Sequence, residues 1–293
     1  MAFNWHIFRT RTLTAVVFVM VMLLGLWNRW TFLLLFSVIH FGCWWEYLRL
    51  MERIHKVSFH TYVKLGLMVI GYGLMLWFCG PSYEIKGYEF RHNLSLPVSV
   101  AGLAVLLIGI FQKNQVRIKS FGATAMGLLY LSSCWGFMID FYSMTGVHIY
   151  DTMFVLPPDA IPIIIIASIW INDTMAYLVG SVIGKTPMSK ISPKKTWEGT
   201  IGGIILCIVA VTLLLPFLFR IHGSVFSIAL AIVSAIAAIT GTLGDLYESK
   251  LKRMADVKDS GSIMPGHGGF LDRFDSMLFA IPAVWLCLKL FAQ

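Results

Sequence analysis

Charge is scarce in this chain. Of 293 residues only 13% are Asp, Glu, Lys or Arg, 58% are hydrophobic, and the mean hydropathy is +0.77. Such a composition excludes a soluble globular protein. Cysteine is sparse: Cys43, Cys79, Cys134, Cys207 and Cys287 sit inside apolar runs without metal-type spacing, so free thiols are expected. His40, His55 and His60 lack the partner spacing of a metal site. No repeat period or low-complexity tract stands out. The apolar run after Arg9 and Arg11 is followed by no convincing cleavage site, so it reads as a retained first helix and not as a signal peptide.

Long apolar runs fill the space that charge leaves. Nine are near bilayer-crossing length: 12–28, 30–48, 62–79, 94–111, 121–142, 160–183, 201–219, 225–244 and 277–292. The joint at 28–30 is so short that the first two must form a helical hairpin. Nine spans sort the basic residues strongly. Arg9, Arg11, Arg49, Arg53, Lys56, Lys64, Lys113, Arg117, Lys119, Lys185, Lys190, Lys194, Lys195, Lys250, Lys252, Arg253, Lys258 and Arg273 fall on the side of the N-terminus. Only Arg29, Lys86, Arg91, Arg220 and Lys289 fall opposite. The positive-inside bias therefore puts the N-terminus in the cytoplasm. The net charge of +8 needs no nucleic acid, because anionic cytoplasmic lipid suffices. The expected fold is an all-α polytopic membrane protein of about nine transmembrane helices, with a polar catalytic cavity facing the cytoplasm. Residues 1–159 form five scaffold spans and 160–293 the catalytic region.

In the first five spans, Glu46 and Asp140 lie near helix ends and are expected to pair locally or reach water. Trp5, Trp27, Trp30, Trp44 and Trp45 fall near span boundaries, where aromatic belts belong. The sixth span differs: it carries Asn172 and Asp173 deep in apolar sequence. An ionisable residue there is costly and should face the bundle interior and a partner. Gly180 and Gly184 allow a neighbouring helix to come close. Next, Ser192-Pro193 reads as an N-cap and first helical turn, which places Lys194 and Lys195 at a helix start suited to phosphate. Alone, this segment would be an ordinary basic juxtamembrane loop. Its nearness to Asp173 favours phosphate binding.

A polar island then runs from Gly244 to Ser276. It holds six of the fifteen acidic residues: Asp245, Glu248, Asp256, Asp259, Asp272 and Asp275. If the eighth helix continues past Gly244, then Asp245, Glu248, Ser249 and Lys252 share a face. Pro265, Gly266, Gly268 and Gly269 must break that helix, and from Phe270 a last helix puts Asp272 and Asp275 one turn apart. Clustered carboxylates call for a divalent counter-charge, and hard oxygen donors favour Mg²⁺ over zinc. Lys252, Arg253, Lys258, His267 and Arg273 suit a polyphosphate bridged to such an ion. The plain alternative is a salt-bridged cytoplasmic loop.

The run Ser249-x-x-Lys252-Arg253, Lys258-Asp259, then Pro265-x-His267-Gly268-Gly269-x-x-Asp272-Arg273-x-Asp275 closely resembles the signature of phosphatidate cytidylyltransferases, also called CDP-diacylglycerol synthases. Asp173, the Ser192–Gly199 segment and Gly244-Asp245 resemble the same family in the right order. The resemblance covers about the last 130 residues, with Met264 a tolerated departure before the proline. It implies a membrane enzyme that joins CTP and phosphatidic acid with Mg²⁺. Asp245, Asp272 and Asp275 would hold the metal, with a monovalent cation such as K⁺ beside it. Asp245, Lys252, Arg253, Lys258, Asp259, His267, Asp272, Arg273 and Asp275 would serve catalysis. Asp173, Ser192, Lys194, Lys195, Lys252, Arg253 and His267 would bind the phosphates of CTP or phosphatidate. The enzyme would sit in the cytoplasmic (inner) membrane, with a homodimer among the assemblies allowed. The rivals are enzymes activating an archaeal ether lipid or phosphorylating an isoprenoid alcohol, and, from another class, a transporter.

Overall fold

The computed structural model describes residues 5–112, 118–144, 146–149, 152–221, 223–263 and 268–291; side chains are described over 12–112, 118–144, 155–221, 223–263 and 268–290. It is mostly helical, in chain order α1 (Trp5–Leu26), α2 (Arg29–His55), α3 (Thr61–Trp77), β1 (Glu84–Ile85), β2 (Tyr88–Glu89), α4 (Phe90–Asn93) and α5 (Ser95–Phe111). There follow α6 (Ile118–Ala125), a π-helical turn (Leu128–Ser133), α7 (Cys134–Ser143), β3 (Gly146–Ile149) and β4 (Thr152–Val155). The chain closes with α8 (Ala160–Ile183), α9 (Trp197–Phe219), α10 (Ser224–Met254) and α11 (Leu271–Phe291). Two antiparallel hairpins, β1–β2 and β3–β4, correct the all-α expectation. In the first, Lys86 and Gly87 both take positive φ (50° and 82°), the two-residue turn that matches strand twist.

Among the described residues six helical stretches are long and apolar enough to cross a bilayer: Arg29–His55, Phe90–Phe111, Ile118–Phe141, Ala160–Ile183, Trp197–Phe219 and Ser224–Met254. Thr12–Leu26 and Thr61–Trp77 are shorter apolar helices. Large apolar side chains point outward along them, with Val182 82% and Phe217 72% exposed. In water such surfaces would be untenable, and in lipid they are satisfied. The protein is a membrane protein.

The chain forms two compact units. The first comprises Met1–Ile139 with Leu251–Phe274, and the second Asp140–Lys250 with Asp275–Gln293. In the first, the short joint between α1 and α2 is capped as its length demands. Asn28 Oδ1 accepts from the N–H groups of Trp30 (2.9 Å) and Thr31 (3.1 Å), and Thr31 Oγ1 accepts from Asn28 N (3.2 Å). The aromatic core stacks Phe36 on Trp135 (5.5 Å) and Trp135 edge-on to Phe274 (5.7 Å). Trp44 is fully buried and donates to Ser132 Oγ at 2.9 Å, so it is a core residue and not part of an interfacial belt. In the second unit, α8 and α9 cross in close contact, because a Cβ at Gly199 would lie 2.9 Å from Gly180 Cα. The small residues permit the approach that apolar length alone does not specify. Asp140 accepts from Trp285 Nε1 (2.8 Å) and lies 3.5 Å from Lys289 Nζ. Its partners are thus about 145 residues away and not local, while the side chain, 22% exposed, keeps the access to water that was the other expectation. Among the described residues no disulfide joins any of the five cysteines.

Candidate active site

α10 runs unbroken through Gly244 to Met254, so Asp245, Glu248, Ser249 and Lys252 share a face as the spacing requires. Ser249 Oγ donates to Asp245 Oδ1 (3.3 Å) across one turn. The helix ends with Asp256 in the left-handed region (φ 55°), Asp256 N–H bonded to Arg253 O (3.1 Å) and Val257 N–H to Lys252 O (2.9 Å). This pair of bonds closes the helix without a glycine.

In the first unit, Asp272 lies in the first turn of α11. Its Oδ1 accepts from Lys252 Nζ (2.6 Å), and its Oδ2 accepts from Ser260 N (2.9 Å) and Gly269 N (2.8 Å), with Ser260 Oγ 3.0 Å away. Burial pushes this carboxyl up, but the hydrogen bonds from Lys252, Gly269 and Ser260 and the Lys252 charge outweigh it, so the net direction is down. Gly268 takes φ +86°, and a Cβ there would stand 2.5 Å from Asp272 Oδ2, so both conformation and space require glycine.

Beneath this turn lies Glu46 of α2, 1% exposed. Its Oε1 accepts from Phe270 N (3.0 Å), and its Oε2 accepts from Leu271 N (2.9 Å) and Ser260 Oγ (2.6 Å). A Cβ on Gly261 or Gly269 would collide with the same carboxylate. Glu46 therefore neither pairs locally nor reaches water; it binds the island more than 210 residues away. Neither Glu46 nor Ser260 was expected at the site. The signal for Glu46 was present all the same: a carboxylate in an apolar helix between Trp44, Trp45 and Tyr47 is as costly as the one at Asp173.

In the second unit, Asn172 is the buried member of its pair, donating to Thr242 Oγ1 at 3.4 Å, whereas Asp173 lies exposed. Successive helical residues point about 100° apart, so only one of the two can pack inward. The Ser192 expectation is corrected too. Ser192 O accepts from Lys195 N (3.1 Å), making Ser192-Pro193-Lys194-Lys195 a tight turn, with Pro193 at the position whose fixed φ favours it. α9 starts five residues later, capped by Thr196 Oγ1 accepting from Gly199 N (3.2 Å). The turn is closed by Met188 N to Lys195 O (2.8 Å) and by Glu198, which accepts from Lys185 N and Thr186 N. From it Lys195 reaches Asp245 Oδ2 in an ion pair, while Lys194 is exposed. Gly244 of α10 touches α11, since a Cβ there would lie 2.5 Å from Asp275 O. Asp275 Oδ1 accepts from Ser276 N at 2.6 Å.

Arg253, Lys258, Asp259 and Arg273 are exposed, Arg253 bonding Val257 O at 3.4 Å. His267, with Met264, Pro265 and Gly266, lies outside the described residues. Among the described residues no three His, Cys, Asp or Glu side chains already form a metal cage. The donor chemistry nevertheless fits a hard cation: Asp245 and Asp272 each hold a lysine ammonium, a single positive charge where a divalent ion would be bound. With Oδ2 of Asp272 supplied by the backbone, Oδ1 is the oxygen it can offer.

The model of the cytidylyltransferase family matches residues 9–291. The chain belongs to that family. Among its cytidylyltransferase relatives, the phosphatidate cytidylyltransferase of Bacillus subtilis is 32% identical over 286 residues, 97% of each chain. That of Staphylococcus haemolyticus is 32% identical over 284 residues, 96% of this chain and 98% of the other. Phosphatidate cytidylyltransferase 4, chloroplastic, of Arabidopsis thaliana is 34% identical over 204 residues, 64% of this chain and half of that protein. The similarity thus reaches beyond the last 130 residues into the five N-terminal helices, where Glu46 lies.

Proposed function

We propose that this cytidylyltransferase-family chain transfers the cytidylyl group of CTP to phosphatidic acid, giving CDP-diacylglycerol and pyrophosphate. Near-full-length similarity to phosphatidate cytidylyltransferases carries the assignment. The chemistry suits the residues. A phosphate oxygen of phosphatidate attacks the α-phosphorus of CTP, and the bond from that phosphorus to the bridging oxygen breaks as pyrophosphate leaves. The nucleophile is a monoester with a second pKa of about 6, so near neutral pH it is already mainly a dianion and needs no general base. The task is to bring two polyanions together, which calls for fixed positive charge and not for a proton acceptor.

Lys252 and Lys195, bonded to Asp272 and Asp245, would turn their ammoniums to incoming phosphate. Lys194, Arg253, Lys258 and Arg273, all exposed, would draw CTP from the cytosol. Asp173 and Ser192 would line the phosphate path, His267 would contact it, and Asp259 would orient the adjoining cations. Mg²⁺ held by Asp245, Asp272 and Asp275, with K⁺ beside it, would neutralise the triphosphate. In this reading nine helices cross the cytoplasmic membrane, the six long ones with α1, α3 and α11, and the polar cavity opens to the cytosol. Supporting it, each of the nine expected spans coincides with a helical stretch.

The test is doubly labelled CTP with phosphatidic acid and Mg²⁺ in detergent. The reading expects α-label in lipid and γ-label in pyrophosphate. A γ-label recovered in lipid would mean an alcohol kinase, and no labelled lipid at all would reject the assignment.

A further inference from the structure

We infer that Glu46 is a positioning residue for the transfer reaction, acting from α2 by holding the first turn of α11 and the glycine loop in register. The inference rests on the reading of α11 as the catalytic helix. A helix start leaves several N–H groups without helical acceptors, and a side chain of the preceding segment ordinarily caps them. Here Phe270 and Leu271 offer two of those N–H groups to Glu46, which comes from a helix more than 220 residues earlier. The same carboxylate accepts from Ser260 Oγ, and Ser260 N–H bonds Asp272. One carboxylate thus links Ser260, beyond the end of α10, to Phe270 and Leu271 at the start of α11.

The glycines belong to the same device. Gly261 and Gly269 leave no room for a Cβ against the carboxylate oxygens, so the backbone at both positions packs directly on Glu46. A Cβ at Gly42, one turn earlier on α2, would lie 2.5 Å from the Phe270 ring, so the helix seats the loop by shape as well as charge. A tether that merely stabilised the fold could be apolar. A carboxylate is needed because the groups it meets are all donors: two N–H and one O–H. Glutamine presents one oxygen and an NH₂, and the NH₂ would face a donor wherever it turned.

Glu46→Gln, Glu46→Asp and Gly261→Ala would be measured beside the wild type, in detergent. The observables are kcat, KM for CTP, and amide hydrogen exchange of 260–271 without substrate or metal. We expect Glu46→Gln to lower kcat about a hundredfold with KM for CTP changed much less, since displacing reacting groups by about an ångström costs that much. Exchange at Phe270 and Leu271 should quicken while exchange in α3 and α5 stays as in the wild type. Glu46→Asp, which keeps the charge on a shorter arm, should recover part of kcat. Should Glu46→Gln not fold, Gly261→Ala decides, with the same kcat loss and local exchange expected. Wild-type kcat with unchanged exchange at 260–271 overturns the inference, as does faster exchange throughout the unit with kcat preserved. A wild type that is inactive on CTP and phosphatidate would instead reject the function, and the exchange data would still judge the tether.

Discussion

At the residue scale, the site is built from carboxylates whose oxygens are shared out among named donors. Asp272 holds two backbone N–H groups and one ammonium. Its carboxyl titrates below the ordinary 3.8, which fixes a sign for acid stability. A depressed folded value means that the stabilisation is complete above 3.8 and is lost as pH falls through the folded value. Thermal unfolding in detergent should therefore show the wild type losing more stability than Asp272→Asn below about pH 4, with parallel behaviour above about pH 5. Lys252→Ala leaves that carboxylate buried beside neutral donors only, and should cost about 3 kcal/mol of unfolding free energy as well as activity. A loss under about 1 kcal/mol would mean that the pair is as weak as an exposed one. Asp256 is the contrasting case. At φ 55° it occupies a position that Asn and Gly favour, so Asp256→Asn should leave both activity and stability near native.

At the scale of elements, length and periodicity made the helices legible. Each of the nine apolar runs is helical, α10 does continue past Gly244, and α11 does begin beside Phe270. What failed was local punctuation with two meanings. Ser192-Pro193 suits a helix start and a turn equally well, and the turn prevails because Thr196 supplies a better-placed cap for α9. Lys194 and Lys195 therefore sit on a turn. Lys194→Ala and Lys195→Ala should still raise KM for CTP more than KM for phosphatidate, Lys195→Ala the more severely because it also frees Asp245. A change confined to the lipid KM would assign both to phosphatidate. For Glu46 the cost of a buried carboxylate was legible but its partner was not: no pattern within α2 points to Ser260, Phe270 and Leu271.

For the whole molecule, the proposed arrangement is a membrane protein whose few charges would serve a phosphate reaction on the cytoplasmic side. The basic-residue asymmetry predicts that Ser189→Cys is labelled from the cytoplasm and Lys86→Cys from outside, in a cysteine-free background. Labelling of both from one side would reject the nine-span arrangement. The central claim is that Asp245, Asp272 and Asp275 hold the cation that makes cytidylyl transfer possible. Its most direct test is transfer from CTP to phosphatidic acid against Mg²⁺ concentration for Asp→Asn at each of the three, with Asp256→Asn as control and folding checked by thermal unfolding. The account predicts folded proteins with turnover nearly abolished at all three positions and an Asp256→Asn curve overlying the wild type; near-native turnover at low Mg²⁺ in the three variants would contradict it.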